Sequence, residues 1–590
     1  MYHSKTTMHC TTAIPFSLLI TLCMLLSACA EVITPFMPPA ALSPQTELRS
    51  ISSIITPEAT QDPTSQIVET EPVLLWFEPE VPSDMWMLEE LPAGMIWSEN
   101  EVSNAVILGL SERMLPSKQV LAEVEWIYAL AAPFFTIQDE VTAEDLQAFW
   151  QGRASGSMAN VTRLVVRNGD LNSLISILGE ASGATVTIVP NDVLEIPQEG
   201  TPGVWTILPF NRLQPQWKVI SIDGKSPLER EFLGKDYPLS ARYALYAGDE
   251  QIANIAPEVL DAFVSGLQVT NRNPEKMTTL VMTGVTALVR ATAHRMEIKG
   301  ITYPAEDILD WLKEADIIHI SNEVSFWEDC PYPDPGYGGL NFCSNPDYIQ
   351  LFEYIGADVI ELTGNHNNDT YYKYGVDTVP FSLDLYTQRG MLYFGGGLNL
   401  ADSMQPAILE HNGNKLAFIG CNAFGPDFAW ATETQGGSAP CIDFTWMADE
   451  IRRLRSEGYL PIATFQYYED YNDDASPQQK LDFRMMAEAG AVIVNGSQAH
   501  RPKEMEFYDQ AFIHYGLGNL FFDQMGIEYN GVYYPETRWE FIQCHIFYDG
   551  RYISTVLLTA MLEDYAKPRP MTESERQIFL EQIFSVSQMR

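Results

Sequence analysis

The sequence predicts an α/β protein with two folded regions, a smaller mixed one followed by a larger one of strand-helix alternation. Three observations lead there. From Thr278 onward, short apolar runs alternate with amphipathic stretches of helix length, the pattern of βα units. Runs such as DIIHI, KLAFIG and AVIVN are apolar nearly throughout, as strands covered on both faces are. The 590 residues are 46% hydrophobic and only 19% charged, so the chain can bury its own cores. At about 100 to 200 residues per domain, this length asks for two to four units.

Residues 1–28 carry Lys5 in a short polar start, then a mostly apolar run from Ala13 through Leu26, too short for a comfortable membrane span. The run closes on Leu26, Ser27, Ala28 and Cys29, which resembles the lipobox of bacterial lipoprotein signal peptides. That resemblance implies a cleaved signal, lipidation of Cys29, and a cell-membrane location, lipid-anchored on the extracytoplasmic face. Residues 29–72 are rich in Pro, Thr, Ser and Gln, the composition of an extended stalk.

Net charge is −43. Nucleic-acid binding draws on Lys and Arg to neutralise phosphates, so no nucleic-acid partner is expected. Five cysteines remain after Cys29. Cys330 and Cys343 bracket the Pro- and Gly-rich loop CPYPDPGYGGLNFC, suited to a disulfide-closed excursion, and Cys421 with Cys441 flanks a second loop that a bridge could close. Buried free thiols are the alternative reading.

In 73–265, VLLWFEP, VEWIYALAAPF, ATVTIVP and GVWTILPF read as strands, and AEDLQAFWQG as a helix started by Thr142. Patches here resemble extracellular solute-binding domains of the phosphate-binding type. No Ser/Thr/Arg cluster in the sequence is assignable to an anion, so the ligand stays open, and a docking or spacing role stands beside it. The joint is expected in GLQVTNRNPEKM, Gly266 to Met277.

Beyond the joint, 278–560 forms the second region, and 561–590 a C-terminal tail with a helix. A strand TLVMTGV, a helix started by Pro304, and the strands DIIHI and DVIELT open it; helices near Met447–Gly458 and Pro477–Ala489 follow. In open α/β sheets, chemistry collects beyond the carboxyl ends of strands. Four strand ends carry polar groups: Asn322 and Glu323; Asn365 and His366; Gln466 and Glu469; Gln498 and His500. Carboxylate, amide and imidazole groups converging in this way form a ligand set for Mn²⁺, Fe, Zn²⁺ or Mg²⁺. His319 and His514 lie inside apolar strands and read as structural histidines.

These motifs resemble the CapA family of capsule (poly-γ-glutamate) synthesis proteins, a branch of the calcineurin-like metallophosphatases. Asn322-Glu323 resembles its Asn-Leu-Glu motif, and Gly364-Asn365-His366 its Asn-Asn-His motif. AGAVIVNGSQAH, ending at His500, resembles the run closing in Gly-His-His-Pro-His. YGLGNLFFDQ, containing Asn519, resembles its Tyr-Ser-Leu-Gly-Asn-Phe strand. The resemblance implies a metallophosphatase-like α/β/β/α sandwich preceded by the smaller mixed α/β domain. It also implies Glu323, Asn365 and His500 as metal ligands and His366 as the catalytic group at the reacting phosphate. Asn322, Gln466, Glu469, Gln498 and Asn519 are further site candidates.

Departures from the family pattern bear on the metal. Val285 stands where the family's first strand ends in an Asp ligand, and Gln466 and Gln498 stand where it has His. Valine binds no cation, and glutamine offers a neutral carbonyl in place of an imidazole. The expectation is one divalent ion or none. The function implied is capsule or cell-envelope polymer synthesis with metal-dependent phosphoester hydrolysis. The alternative is a non-catalytic polymer- or glycan-binding protein with a degraded metal site. The partner is a cell-envelope polymer or a phosphoester substrate, with the membrane reached through the lipid anchor.

Overall fold

The computed structural model describes residues 72–587, except 86–90, 92–93, 101, 103–104, 112–117, 193–202, 256, 337–341 and 376. The signal, Cys29 and all but the last residue of the stalk lie outside the described residues. Among the described residues no helix is long and apolar enough to cross a membrane.

The first region is a nine-stranded sheet. Its spine is the long strand Gln119–Pro133, which pairs antiparallel with Ser240–Ala247 through its first half and with Val204–Pro209 and Trp217–Val219 through its second. The helix Ala143–Trp150 begins where Thr142 accepts the Asp145 amide, and buries Leu146, Phe149 and Trp150. Asn271, in the joint, exchanges two hydrogen bonds of 2.8 Å with the Ile127 backbone. Met277 at the end of the joint and Ile546, Tyr548 and Ile553 of the second region share the first region's apolar core. The joint is therefore a packed seam.

The second region is two sheets face to face. One is eight-stranded, with Leu392–Phe394, Val359–Glu361, Ile317–Asn322 and Met277–Thr283 parallel, then Trp539–Tyr548, Arg551–Glu563 and Lys567–Pro570 antiparallel. The other is six-stranded around parallel Asn414–Asn422, Leu460–Gln466, Ile493–Asn495 and Ala511–His514. Strand alternation divides the residues between layers. Leu280, Met282 and Val359 meet Phe418, Ile462 and Phe512 between the sheets. On the outer face of the first sheet, Val281, Ile318 and Ile360 pack on Ala293, Met296, Phe352 and Leu383. On the outer face of the second, Ile419, Ala463 and Val494 pack on Met447, Ile451, Phe483 and Met486. Helix, sheet, sheet, helix is the resulting α/β/β/α order.

The structure differs from the sequence reading in two places. The helix placed at Pro304 is only a 3₁₀ turn at Tyr303–Ala305 and a short helix at Leu309–Lys313. The sheet also runs past residue 560, because Arg551–Glu563 folds back onto Trp539–Tyr548 about an Asp549-Gly550 turn whose residues both have positive φ. That pair has the composition and backbone of a tight hairpin turn. The C-terminal helix Glu573–Val586 carries a Thr572/Glu575 capping box and lays Phe579, Leu580 and Ile583 into the inter-sheet core.

Candidate functional site

The polar residues sit at the carboxyl ends of parallel strands in both sheets. Ile317–Asn322 leads into Glu323, Val359–Glu361 into Asn365 and His366, Leu460–Gln466 into Glu469, and Ile493–Asn495 into Gln498 and His500. Close approach of two of these loops needs a glycine. A Cβ on Gly364 would lie 2.7 Å from the Glu323 Cα.

One ligand atom from each of Glu323, Glu469 and His500 falls within 4.8 Å of the others. His500 Nε2 lies 3.9 Å from Glu323 Oε1 and 3.8 Å from Glu469 Oε1, and His366 Nε2 lies 3.8 Å from Glu323 Oε1. These spans are too long for hydrogen bonds. They suit groups facing a common ion at about 2.0–2.6 Å from each. The Asn365 and Gln466 amides each direct their nitrogen to Glu469 Oε1 at 3.4 Å. Glu469, a secondary candidate on sequence, thus stands at the centre, with Asn365 beside it.

Glu323 is fully buried and neither of its oxygens has a hydrogen-bond partner. Burial raises its carboxyl, the facing His366 and His500 rings pull it back, and the balance lies above the usual carboxylate value. A buried carboxylate without a donor is costly. A cation between Glu323, Glu469 and His500 would relieve that cost, so the residues present fit one metal ion.

The two histidines are held by different partners. Asn519 donates through Nδ2 to the carbonyls of His500 and Thr537, which leaves its Oδ1, 2.9 Å from His500 Nδ1, as an acceptor. His500 is thereby fixed with Nδ1 protonated and the Nε2 lone pair toward the carboxylates. His366 Nδ1 donates to Asp369 Oδ2 at 2.7 Å. Burial disfavours a charged His366 ring, but Glu323 and Asp369 outweigh it and raise its pKa.

A column of stacked groups that the sequence did not reveal joins the two rings. Phe342 lies flat on His366 at 3.6 Å between centroids, Arg290 sits between Phe342 and Phe522 at 4.9 and 5.0 Å, and Phe522 stacks on His500 at 4.8 Å. Asp523 pairs with Arg290 and accepts the Ala291 amide at 3.1 Å. Phe342 precedes Cys343, and the Cys330–Cys343 disulfide closes the loop that places it. The second bridge joins Cys421 and Cys441, and Cys544 is free.

Val285 is buried among Ala287, Val289, Val324, Phe342 and Phe522. An apolar packing unit fills the place of the family's first Asp. Asn322 turns its amide nitrogen away from the centre, to Val324 O at 2.8 Å and the Tyr386 hydroxyl at 2.7 Å. Gln498 donates to Ser321 Oγ at 2.6 Å. His319 lies 3.1 Å from Glu361 between the sheets, where Ser497 and Thr363 also donate to that carboxylate. In the first region, residues far apart in sequence meet as a buried ion cluster, Arg167 with Asp84 and Asp170, and Arg212 with Asp84.

Residues 279–524 match the family model "Bacterial capsule synthesis protein PGA_cap". This stretch is similar to the CapA family of capsule synthesis proteins. The capsule biosynthesis protein CapA of Bacillus anthracis is 24% identical over 260 residues, 43% of this chain and 62% of that protein. The PGA biosynthesis protein CapA of Bacillus subtilis (strain 168) is 25% identical over 187 residues, 31% of this chain and 48% of that one. The chain thus spans about half to three fifths of the length of these curated relatives. Among solved structures, a 5′-nucleotidase precursor from Thermus thermophilus aligns at 10% identity and TM-score 0.28, over 52% of this chain and 58% of that one. An ABC-type phosphate transport receptor from Vibrio cholerae aligns at 13% and TM-score 0.23, over 27% of this chain and 73% of that one. At such scores the layer order of this domain rests on its own sheets and cores.

Proposed function

We propose that the chain is an extracytoplasmic, lipid-anchored protein of capsule or cell-envelope polymer assembly whose strand-tip centre performs metal-dependent cleavage of a phosphoester or related bond. The observation that carries this reading is the buried Glu323 carboxylate, without hydrogen-bond partners and facing Glu469 and His500. A divalent ion held there by Glu323, Glu469, His500 and the Asn365 amide would polarise a phosphoryl oxygen.

The chain's own residues supply the rest. His366, clamped by Asp369, presents Nε2 at the edge of the centre, so it suits a phosphoryl contact and a proton donor to the leaving oxygen. Asn519 holds the His500 lone pair in place. Phe342 fixes the plane of His366 and closes one side of it to water. With a net charge of −43, a long polyanion gripped along its length would be repelled, so the segment bound is short and neutral or singly charged.

A second reading has its own observation. Val285 in a closed apolar cluster and Gln466 and Gln498 in place of imidazoles leave fewer ligands than two ions need, as in a centre that binds polymer without cutting it. The deciding experiment treats purified full-length chain with a generic phosphodiester. Hydrolysis that chelator abolishes and metal restores, and that His366→Ala reduces at least about 100-fold, supports catalysis. Polymer binding that survives chelation, with no turnover, supports the second reading.

A further inference from the structure

The identity of the unpartnered atoms says which kind of ion this centre takes. In Asn365, Gln466 and Gln498 the amide nitrogen is engaged, with Glu469, with Glu469 and the Tyr467 carbonyl, and with Ser321 respectively. The carbonyl oxygen of each has no partner, although all three side chains are at least nine-tenths buried. Both oxygens of Glu323 are in the same state. Buried amide and carboxylate oxygens of this kind call for donors or a cation. The two imidazoles that face Glu323 Oε1, His366 Nε2 and His500 Nε2, stand 3.8 and 3.9 Å away, beyond hydrogen-bond reach.

The resulting inventory is oxygen-rich. Glu323 and Glu469 bring two negative charges, Asn365 and Gln466 each bring an amide whose nitrogen faces Glu469 and whose oxygen is unpartnered, and His500 brings a single imidazole. No cysteine takes part, since Cys544 is the only free thiol among the described residues and lies in the strand Trp539–Tyr548. Carboxylate and carbonyl oxygens select Mg²⁺, Ca²⁺ and Mn²⁺, whereas imidazole and thiolate favour zinc and its neighbours.

We propose, resting on the metal reading above, that Gln466, with Asn365, does not merely weaken the centre but retunes it for one hard divalent cation of the Mn²⁺/Ca²⁺ class. On this view Gln466 stands where an imidazole would draw zinc.

The test uses chelator-stripped full-length chain with Tb³⁺ as the luminescent hard-ion probe, because Tyr467, Tyr468 and Tyr471 flank Glu469 and can sensitise its emission. Sensitised emission saturating at one equivalent is expected, displaced by Ca²⁺ and by Mn²⁺ and abolished by Glu323→Gln. Zn²⁺ should compete with less than about a tenfold advantage over Mn²⁺, and Gln466→His should widen that advantage by about tenfold or more. If Gln466→His does not fold, Asn365→Asp takes its place and should tighten Ca²⁺ competition by about tenfold, through the added carboxylate. Tight Zn²⁺ uptake that neither Ca²⁺ nor Mn²⁺ displaces would overturn the hard-cation assignment and leave the metal reading standing. Equilibrium dialysis that finds no ion of any kind retained would overturn both.

Discussion

Two of the clusters of charged side chains among the described residues differ in how their charges are met. In the first region, Arg167 contacts Asp84 and Asp170 and Arg212 contacts Asp84, so two cations face two anions with no external ion needed. Burial raises the Asp84 carboxyl, but the two arginines hold it below its usual value, whereas for Asp170, paired with Arg167, burial prevails and lifts the carboxyl to about 6. At the strand tips, Glu323 faces another carboxylate and two imidazoles at 3.8–3.9 Å, with the Arg290 charge a weaker influence and no hydrogen-bond partner on either oxygen. Burial wins there and the carboxyl is raised. A cluster complete in itself reads as scaffold; one that lacks a cation reads as a binding site.

Substitutions should separate the two. Asp84→Ala strips both arginines of a shared partner and leaves Arg167 buried with only Asp170, so unfolding free energy by denaturant titration should fall by about 3–5 kcal/mol, with metal uptake unchanged. Glu323→Gln should do the reverse. Metal affinity should drop at least about 100-fold, roughly 2.7 kcal/mol, while the metal-free protein gains stability because a buried unpaired carboxylate is gone. If Glu323→Gln destabilises the metal-free chain as Asp84→Ala does, the distinction fails.

A third buried polar group sharpens the contrast through pH. His514 and His545 lie between the sheets on either side of Gln543, and burial pushes both rings down to about 3. Unfolded, they titrate near about 6.5. The unfolded chain therefore binds more protons between these values. Their contribution to stability is complete above about pH 6.5 and is lost as pH falls toward 3, at up to about 1.4 kcal/mol per pH unit for each ring. His545→Asn should flatten that acid limb in pH-dependent thermal melts. The smallest effect belongs to the stacked column. Phe342→Leu keeps an apolar contact but loses the flat face on His366, so turnover should fall a few-fold with KM and metal affinity unchanged.

The ordered motifs made Glu323, Asn365, His366 and His500 legible, because strand ends in an α/β sandwich are fixed by apolar runs that the sequence displays openly. Glu469 entered only as a secondary candidate, since nothing local says that a residue three past Gln466 turns back toward His500. Phe342, Arg290, Asp369 and Asp523 were not assigned roles, because each acts across 3 to 233 positions of chain through stacking or pairing that leaves no periodic trace. The strands Trp539–Tyr548 and Arg551–Glu563 were missed although Asp549-Gly550 between apolar runs is a hairpin signal. Arg167, Arg212, Asp84 and Asp170 could not be grouped from sequence, being up to 128 residues apart.

Metal stoichiometry tests the central claim most directly. Full-length chain loaded with Mn²⁺, dialysed and measured by atomic emission should hold one ion per chain, with that ion lost in Glu323→Gln and kept in Asp84→Ala. Two ions per chain, or one that survives Glu323→Gln, would contradict the account.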